Sequence, residues 1–369
     1  MVRTVERVAI LGLGLIGGSW GMALKRYRPE IQVVGVDVKE DIIRLGVETS
    51  AIDWGTVDLA EGVKKADLVI IATLVGAIPE LMRQAVPFLR EGCIITDVGS
   101  TKEKIARIIS GLLPPGVHYV GGHPMAGSEA QGLQGADPYL FENAVYILTP
   151  LPFTDPQALM TVEELVRSVG ARVMHLSPRE HDQMVAFISH LPHLAAAALV
   201  NTVGYQEQKK PGLFALAAGG FRDVTRIAGS QPGMWRDIFL DNRAALLPLI
   251  RSYCQALEEL EEAIEALDGD RLQFLLEQAQ SWRRQIPAKV KGLLPRIYEI
   301  VVTVPDRPGI IGELAILLGE DGINIVDIEI LRVREGDGGT IRFGFETEEE
   351  SCRAVELLSR HGYVAKIRQ

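Results

Sequence analysis

The sequence predicts a chain in three parts: a doubly wound α/β domain, an all-α block and a small ferredoxin-like βαββαβ module. Three observations carry the prediction. Short β-branched runs alternate with helical stretches up to about residue 175, strand signals then stop until the last 70 or so residues, and there they return in the order strand, helix, strand, strand, helix, strand. The expected boundaries are 1–175, 176–290 and 297–369, and a chain of 369 residues exceeds one ordinary core.

The first part rests on the runs "RVAILGL", "IQVVGVD", "DLVIIAT", "CIITDVG", "VHYVGG", "AVYILTP" and "ARVMHLS". Several are apolar without alternation, as parallel strands covered on both faces should be. The first runs straight into "GLGLIGG", which sets Gly12, Gly14 and Gly17 in G-x-G-x-x-G spacing at the opening of a helix. The first glycine permits the tight turn, the second lets the backbone approach a pyrophosphate, and the third allows close helix packing. Leu15 and Ile16 fall where the loop becomes helix and count with the cofactor-binding residues. Asp37 ends the next strand, about 20 residues on, where a carboxylate accepts hydrogen bonds from the adenosine ribose and repels a 2′-phosphate. This is the Rossmann pattern, and it predicts NAD in preference to NADP.

The second part carries a long Ala/Leu-rich segment after Pro192 and another from Pro232 through "ALEELEEAIEAL". Ala195 to Ala198 are small enough for helices to approach closely, which suits an intertwined helical homodimer. The stretch "SWRRQIPAKVKGLLP" is basic, carries two prolines and reads as a linker. In the third part, Gly309 follows Pro308 at a helix entry, where bare amides can meet a carboxylate. Asn324, at the start of the second strand, offers a side-chain amide to a ligand.

Composition narrows the function. A formal charge of −10 argues against nucleic acid and anionic membrane surfaces as partners. The most apolar run, "LAAAALV", falls well short of the roughly 20 residues a membrane span needs. Three widely spaced cysteines form no CxxC pair, so neither zinc nor a disulfide framework is expected, and a reducing cytoplasm is.

Within "GGHPMAGSEAQG", His123 stands between a glycine pair and a proline, in a segment too glycine-rich for a helix or a strand, where a strand would end. A neutral imidazole with an ordinary pKa near roughly 6.5 suits a general base. In "DVGSTKEKI", Ser100 and Glu103 have capping-box spacing, and the same position faces the crevice beyond the strand ends. "ISHLPH" brings Ser189, His190 and His193 together, but no third ligand at convincing spacing supports a metal. Histidine and arginine donors converging on carboxylates fit better, with Arg222, Arg226 and Arg236 all candidates.

The motifs "GLGLIGGS", "DVGSTK", "GGHPMAGSE", "SHLPH" and "GFRDVTRIAGSQPGMWRDIF", in that order, resemble the prephenate dehydrogenase family of tyrosine biosynthesis. The tail with "DRPG" and "GINI" resembles an ACT domain, a regulatory amino-acid-binding module. The resemblance covers nearly the whole chain and is to the monofunctional bacterial type. It implies oxidative decarboxylation of prephenate to 4-hydroxyphenylpyruvate with reduction of NAD. His123 is then the base and Ser100 its partner on the substrate hydroxyl. Arg226 binds a substrate carboxylate, with His193 and Ser189 as polar contacts, Ser128 and Glu129 at the rim, and Asp223 beside the arginine. Tyrosine is the implied effector, at Asp306, Gly309 and Asn324. Arogenate dehydrogenase or a dual-specificity cyclohexadienyl dehydrogenase is the alternative activity, and an NAD- and amino-acid-sensing regulator the alternative outside catalysis.

Overall fold

Strand signals at the head of the chain become one mixed sheet in the computed structural model, which describes residues 3–127, 132–286, 298–305, 307–331 and 339–367. Ser128, Glu129 and Asp306 lie outside the described residues. The chain divides into two compact units, 1–287 and 288–369.

In the first unit, β1 (Arg7–Leu11), β2 (Gln32–Val36), β3 (Trp54–Thr56), β4 (Leu68–Ile71), β5 (Ile94–Asp97), β6 (His118–Pro124), β7 (Val145–Thr149) and β8 (Arg172–His175) form a sheet in the order β3-β2-β1-β4-β5-β6-β7-β8. All seven sequence runs are strands. The eighth, β3, has three residues, too few to show a pattern in the sequence. Pairing is parallel from β3 through β6 and again between β7 and β8, but β6 and β7 run antiparallel.

Both faces are covered, which explains the unbroken apolar runs. Val8, Ile10, Leu68 and Ile70 pack with Trp20 and Leu24 of the helix Leu15–Tyr27 on one side. Ala9, Leu11, Val69 and Ile71 pack with Ile78, Met82, Ile105 and Ile109 on the other. Each large aliphatic side chain so buried contributes roughly 1.5–3 kcal/mol. The chain reverses its winding between β1 and β4, and the crevice beyond the carboxyl ends of these strands is where α/β sheets take ligands.

The helical block is seated on this sheet by the helix Pro232–Asp241, whose Ile238 is buried in the second apolar layer with Met234, Trp235 and Phe239 against it. The segment from Pro232 is two helices, broken at Asn242, with Arg243–Glu265 following. One continuous helical stretch, Pro178–Lys209, is long and apolar enough to cross a membrane by length and composition alone. It buries His181, Asp182, His190 and His193. Five of its residues, Ala186–His190, form a π turn. The linker reading needs correction: residues 281–285 are the last turns of the helix Gly269–Gln285, because they continue its backbone ladder without a breaker until Pro287. Residues 287–295 of that stretch lie outside the described residues.

The second unit has β9 (Tyr298–Val304), β10 (Asp327–Leu331), β11 (Gly339–Phe345) and β12 (Val364–Ile367) in the antiparallel order β10-β11-β9-β12. The helices Ile310–Glu320 and Glu348–Arg360 bury Leu314, Leu318, Ala354 and Leu358 against Ile300, Val302, Phe343 and Phe345. That is the ferredoxin-like βαββαβ order. Asn324 precedes β10 by three residues instead of starting it.

Candidate active site

A glycine turn opens the site. Gly12 has φ +94°, and a Cβ there would sit 2.8 Å from the Ala72 carbonyl oxygen. On Gly17 a Cβ would meet the Gly12 oxygen at 1.9 Å, so the helix can lie this close only without a side chain. A Cβ on Gly14 would meet nothing within 4 Å, so the middle glycine faces open space. The Asp37 carboxylate accepts from the Leu13 amide at 3.0 Å and from the Lys39 amide at 3.1 Å, which ties the end of β2 to the turn.

Gly14 of the turn lines a cleft of about 320 Å³ together with Leu15, Ile16, Thr73, Ser100 and, from the helical block, Gly229 and Met234. Thr73 Oγ1 is buried without a hydrogen-bond partner among the described residues. Bare amides at a helix start, an open glycine, a carboxylate at the end of β2 and an orphaned hydroxyl together fit a dinucleotide.

His123 is not in a loop. It is the sixth residue of β6 and pairs with Ile147 of β7. Its flanking glycines serve packing: a Cβ on Gly121 would meet Thr149 Oγ1 at 2.3 Å, and one on Gly122 the Asp97 carbonyl oxygen at 2.7 Å. Glycine richness argued against a strand only because β7, which holds the segment extended, is distant in sequence.

Behind His123 lies a buried polar chain. His123 Nδ1 is 2.7 Å from His181 Nε2, and His181 Nδ1 is 2.8 Å from Asp182 Oδ1. The Lys102 amide donates to Asp182 Oδ1 at 2.7 Å and the Glu103 amide to Oδ2 at 2.9 Å. The Lys102 ammonium pairs with Asp97, to which the Tyr119 hydroxyl donates at 2.6 Å. Asn242 Nδ2 donates to the Asp182 carbonyl at 2.7 Å and lies 3.1 Å from His190 Nδ1. Burial, followed by His181, Lys102 and His190, holds His123 well below the ordinary histidine pKa. Burial also lowers His181, against the pull of Asp182, and lowers His190 to about 4.

The capping-box reading of Ser100 does not hold. The helix Glu103–Ser110 begins three residues later with Lys102 at its N-cap and no side-chain cap of its own. Asp182, from a distant helix, takes the free amides instead, and Ser100 is left lining the cleft.

His193 is buried and stacks on Trp235, with ring centroids 3.7 Å apart and planes at 10°. His193 Nδ1 and Trp235 Nε1 are both buried without a partner among the described residues. Ser189 is half-buried, whereas Arg226, Arg222 and Asp223 are exposed. Arg236 pairs with Asp237 at 2.7 Å. The sequence reading missed Asp97, Lys102, Tyr119, His181, Asp182, Trp235 and Asn242. A signal existed in "REHDQ", a histidine–aspartate pair at a helix start, but it looks like any polar surface turn until its burial is known.

A dinucleotide cleft at the switch point of the parallel part of the sheet, together with neutral buried histidines that an all-α block joins to the sheet through Asp182, defines an NAD-dependent dehydrogenase. Residues 20–175 match the family model of the prephenate dehydrogenase nucleotide-binding domain, 177–278 that of the prephenate dehydrogenase dimerization domain, and 298–351 that of the ACT domain. The chain belongs to the prephenate dehydrogenase family. It is 37% identical over 359 residues to a prephenate dehydrogenase of Bacillus subtilis (strain 168), covering 97% of each chain. A prephenate dehydrogenase of Lactococcus lactis subsp. cremoris (strain MG1363) is 33% identical over 96% of this chain and 98% of the relative. The crystal structure of prephenate dehydrogenase from A. aeolicus in complex with hydroxyphenyl propionate and NAD+ superposes with a TM-score of 0.73 at 33% identity, covering 78% of this chain and 100% of that one.

In the second unit, Gly309 caps the helix Ile310–Glu320 with φ +89° and lines a cleft of about 270 Å³ with Arg307, Pro308 and Ile330. Asn324 is exposed and outside that lining.

Proposed function

We propose that this chain converts prephenate to 4-hydroxyphenylpyruvate and carbon dioxide with reduction of NAD, in tyrosine biosynthesis. The observation that carries the reading is His123, an imidazole kept neutral by burial within a NAD-dependent dehydrogenase fold. A neutral ring can accept the proton of the substrate's hydroxyl group at neutral pH. When bound, the nicotinamide takes the hydride from the carbon bearing that hydroxyl. The carbonyl so formed draws in the electron pair of the departing carboxylate as the ring becomes aromatic, and the proton held on His123 returns to the phenolic oxygen. Ser100 hydrogen-bonds the same hydroxyl. Arg226 holds a substrate carboxylate, with Asp223 beside it and His193 and Ser189 completing the polar wall. For Ser128 and Glu129, substrate contact rests on the family resemblance alone. Gly12, Gly14, Leu15, Ile16, Gly17 and Asp37 hold the cofactor, and the Asp37 carboxylate disfavours NADP.

The test is NADH formation with prephenate and with arogenate, each with NAD and NADP. Prephenate with NAD is expected to be fastest; faster turnover of arogenate moves the substrate assignment, and equal use of NADP removes the role of Asp37. His123→Asn is expected to keep NAD binding and lower kcat by about 10² to 10⁴. Near-normal turnover removes His123 from the mechanism.

The same reading assigns domains 1–175, 176–290 and 297–369, a homodimer and a cytoplasmic site. Exposed Leu199, Tyr205, Leu257, Ile264 and Phe274 on the helical block support the dimer, which light scattering checks. The ACT domain is taken to be regulatory, with tyrosine the effector at Asp306, Gly309 and Asn324. Removing residues 297–369 should leave an active dehydrogenase with weaker tyrosine inhibition. Undiminished inhibition places tyrosine elsewhere.

A further inference from the structure

A neutral imidazole carries its one proton on Nδ1 or on Nε2, and only the bare nitrogen can act as a base. In this fold the choice for His123 is made two residues away from the reacting atoms. The Asp182 carboxylate is acceptor-only and is fixed by two backbone amides, of Lys102 and Glu103, at 2.7 and 2.9 Å. His181 Nδ1, 2.8 Å from Asp182 Oδ1, must therefore donate, because a bare nitrogen there would set two lone pairs against each other. Nε2 of neutral His181 is then bare. It lies 2.7 Å from His123 Nδ1, which must donate in its turn. The lone pair of His123 is left on Nε2.

We infer that His181 and Asp182 are positioning residues that lock His123 in its Nδ1–H tautomer and so present Nε2 as the acceptor for the substrate hydroxyl proton. The inference rests on the role proposed above for His123. Once Nε2 has taken the proton, the imidazolium still donates from Nδ1 to His181, and His181 still donates to Asp182, so no ring turns during the reaction. The groups facing His123 are His181 and Asp182 from the helix Pro178–Val185, Lys102 from the start of the helix Glu103–Ser110, and His190 from the π turn. Lys102 is held by Asp97, which also accepts from Tyr119. Burial keeps both imidazoles neutral, as the argument requires.

Two measurements test this. In the NAD-bound protein labelled with 15N-histidine, at about pH 7.5, two-bond 15N–1H correlations report the protonated nitrogen of each ring, and His123→Asn assigns the signal. His123 and His181 are both expected to be protonated on Nδ1; an Nε2-protonated His123 overturns the inference. This readout needs no substitution at His181 and no knowledge of the substrate, so it stands apart from any failure of the prephenate assay. In kinetics, His181→Leu removes the acceptor and is expected to lower kcat about 10²-fold or more, with NAD affinity and the KM for prephenate within about threefold. His181→Gln has a carbonyl that can accept from Nδ1–H and is expected to recover at least about tenfold over the leucine variant. Turnover of the leucine variant within about threefold of the parent, or no recovery with glutamine in folded protein, overturns it.

Discussion

His190 offers a stability prediction whose size follows from the structure. The residue is 1% exposed, and burial lowers its pKa from 6.5 to about 4. Its Nδ1 faces the Asn242 amide, a donor, so a second proton on that nitrogen would set two donors together. As pH falls, the unfolded chain protonates this histidine first, because its pKa there is the ordinary one. The contribution is therefore complete above pH 6.5 and is lost progressively as pH falls toward about 4. At about pH 5, the unfolded chain is almost fully protonated at this site and the folded chain is not, a loss of about 2 kcal/mol relative to about pH 8. For a unit of this size that corresponds to roughly 4 °C in Tm. The assay compares the melting of the parent and His190→Gln at both pH values. Glutamine can still accept from Asn242 but does not titrate, so the parent should lose about 4 °C more than the variant between the two pH values. Parallel curves of Tm against pH would refute the argument, whatever the absolute stability of the variant.

Other expected outcomes concern the cofactor turn, the buried pair and the anion clamp. Gly17→Ala places a methyl group 1.9 Å from the Gly12 oxygen and should abolish NAD binding or soluble expression, while Gly14→Ala should leave Tm within about 2 °C of the parent and weaken NAD titrated by fluorescence. Tight NAD binding by Gly17→Ala would contradict the close packing. Asp97→Asn strips the carboxylate from a fully buried Lys102 and should cost about 3–5 kcal/mol in urea unfolding, and a loss under about 1 kcal/mol would mean the ammonium is not paired there. Arg226→Ala should raise the KM for prephenate roughly ten- to a hundredfold, the value of one charge-assisted bond. An unchanged KM would shift the clamp to Arg222 or Arg236.

The order of elements was legible in the sequence because it depends on local patterning. Unbroken β-branched runs mark strands covered on both faces, and a glycine turn at the first strand end needs only twelve or so residues to declare itself. Gly12, Gly14, Gly17 and Asp37 could be named for the same reason: the turn they form is local, and the second strand follows at a fixed interval. His123 could be singled out by its odd neighbours, although its setting was misread. Its glycines turned out to be spaces for Thr149 and Asp97, contacts that no window of sequence contains. The polar chain behind it depended wholly on tertiary structure. Asp182 caps a helix that begins some 80 residues earlier, and His181 meets His123 across 58 residues. In sequence these are polar residues at a helix start, with nothing to distinguish them from a solvated face. Burial gives them their chemistry, because a carboxylate fixed by two amides and shut away from water can dictate which nitrogen of a neighbouring imidazole carries its proton.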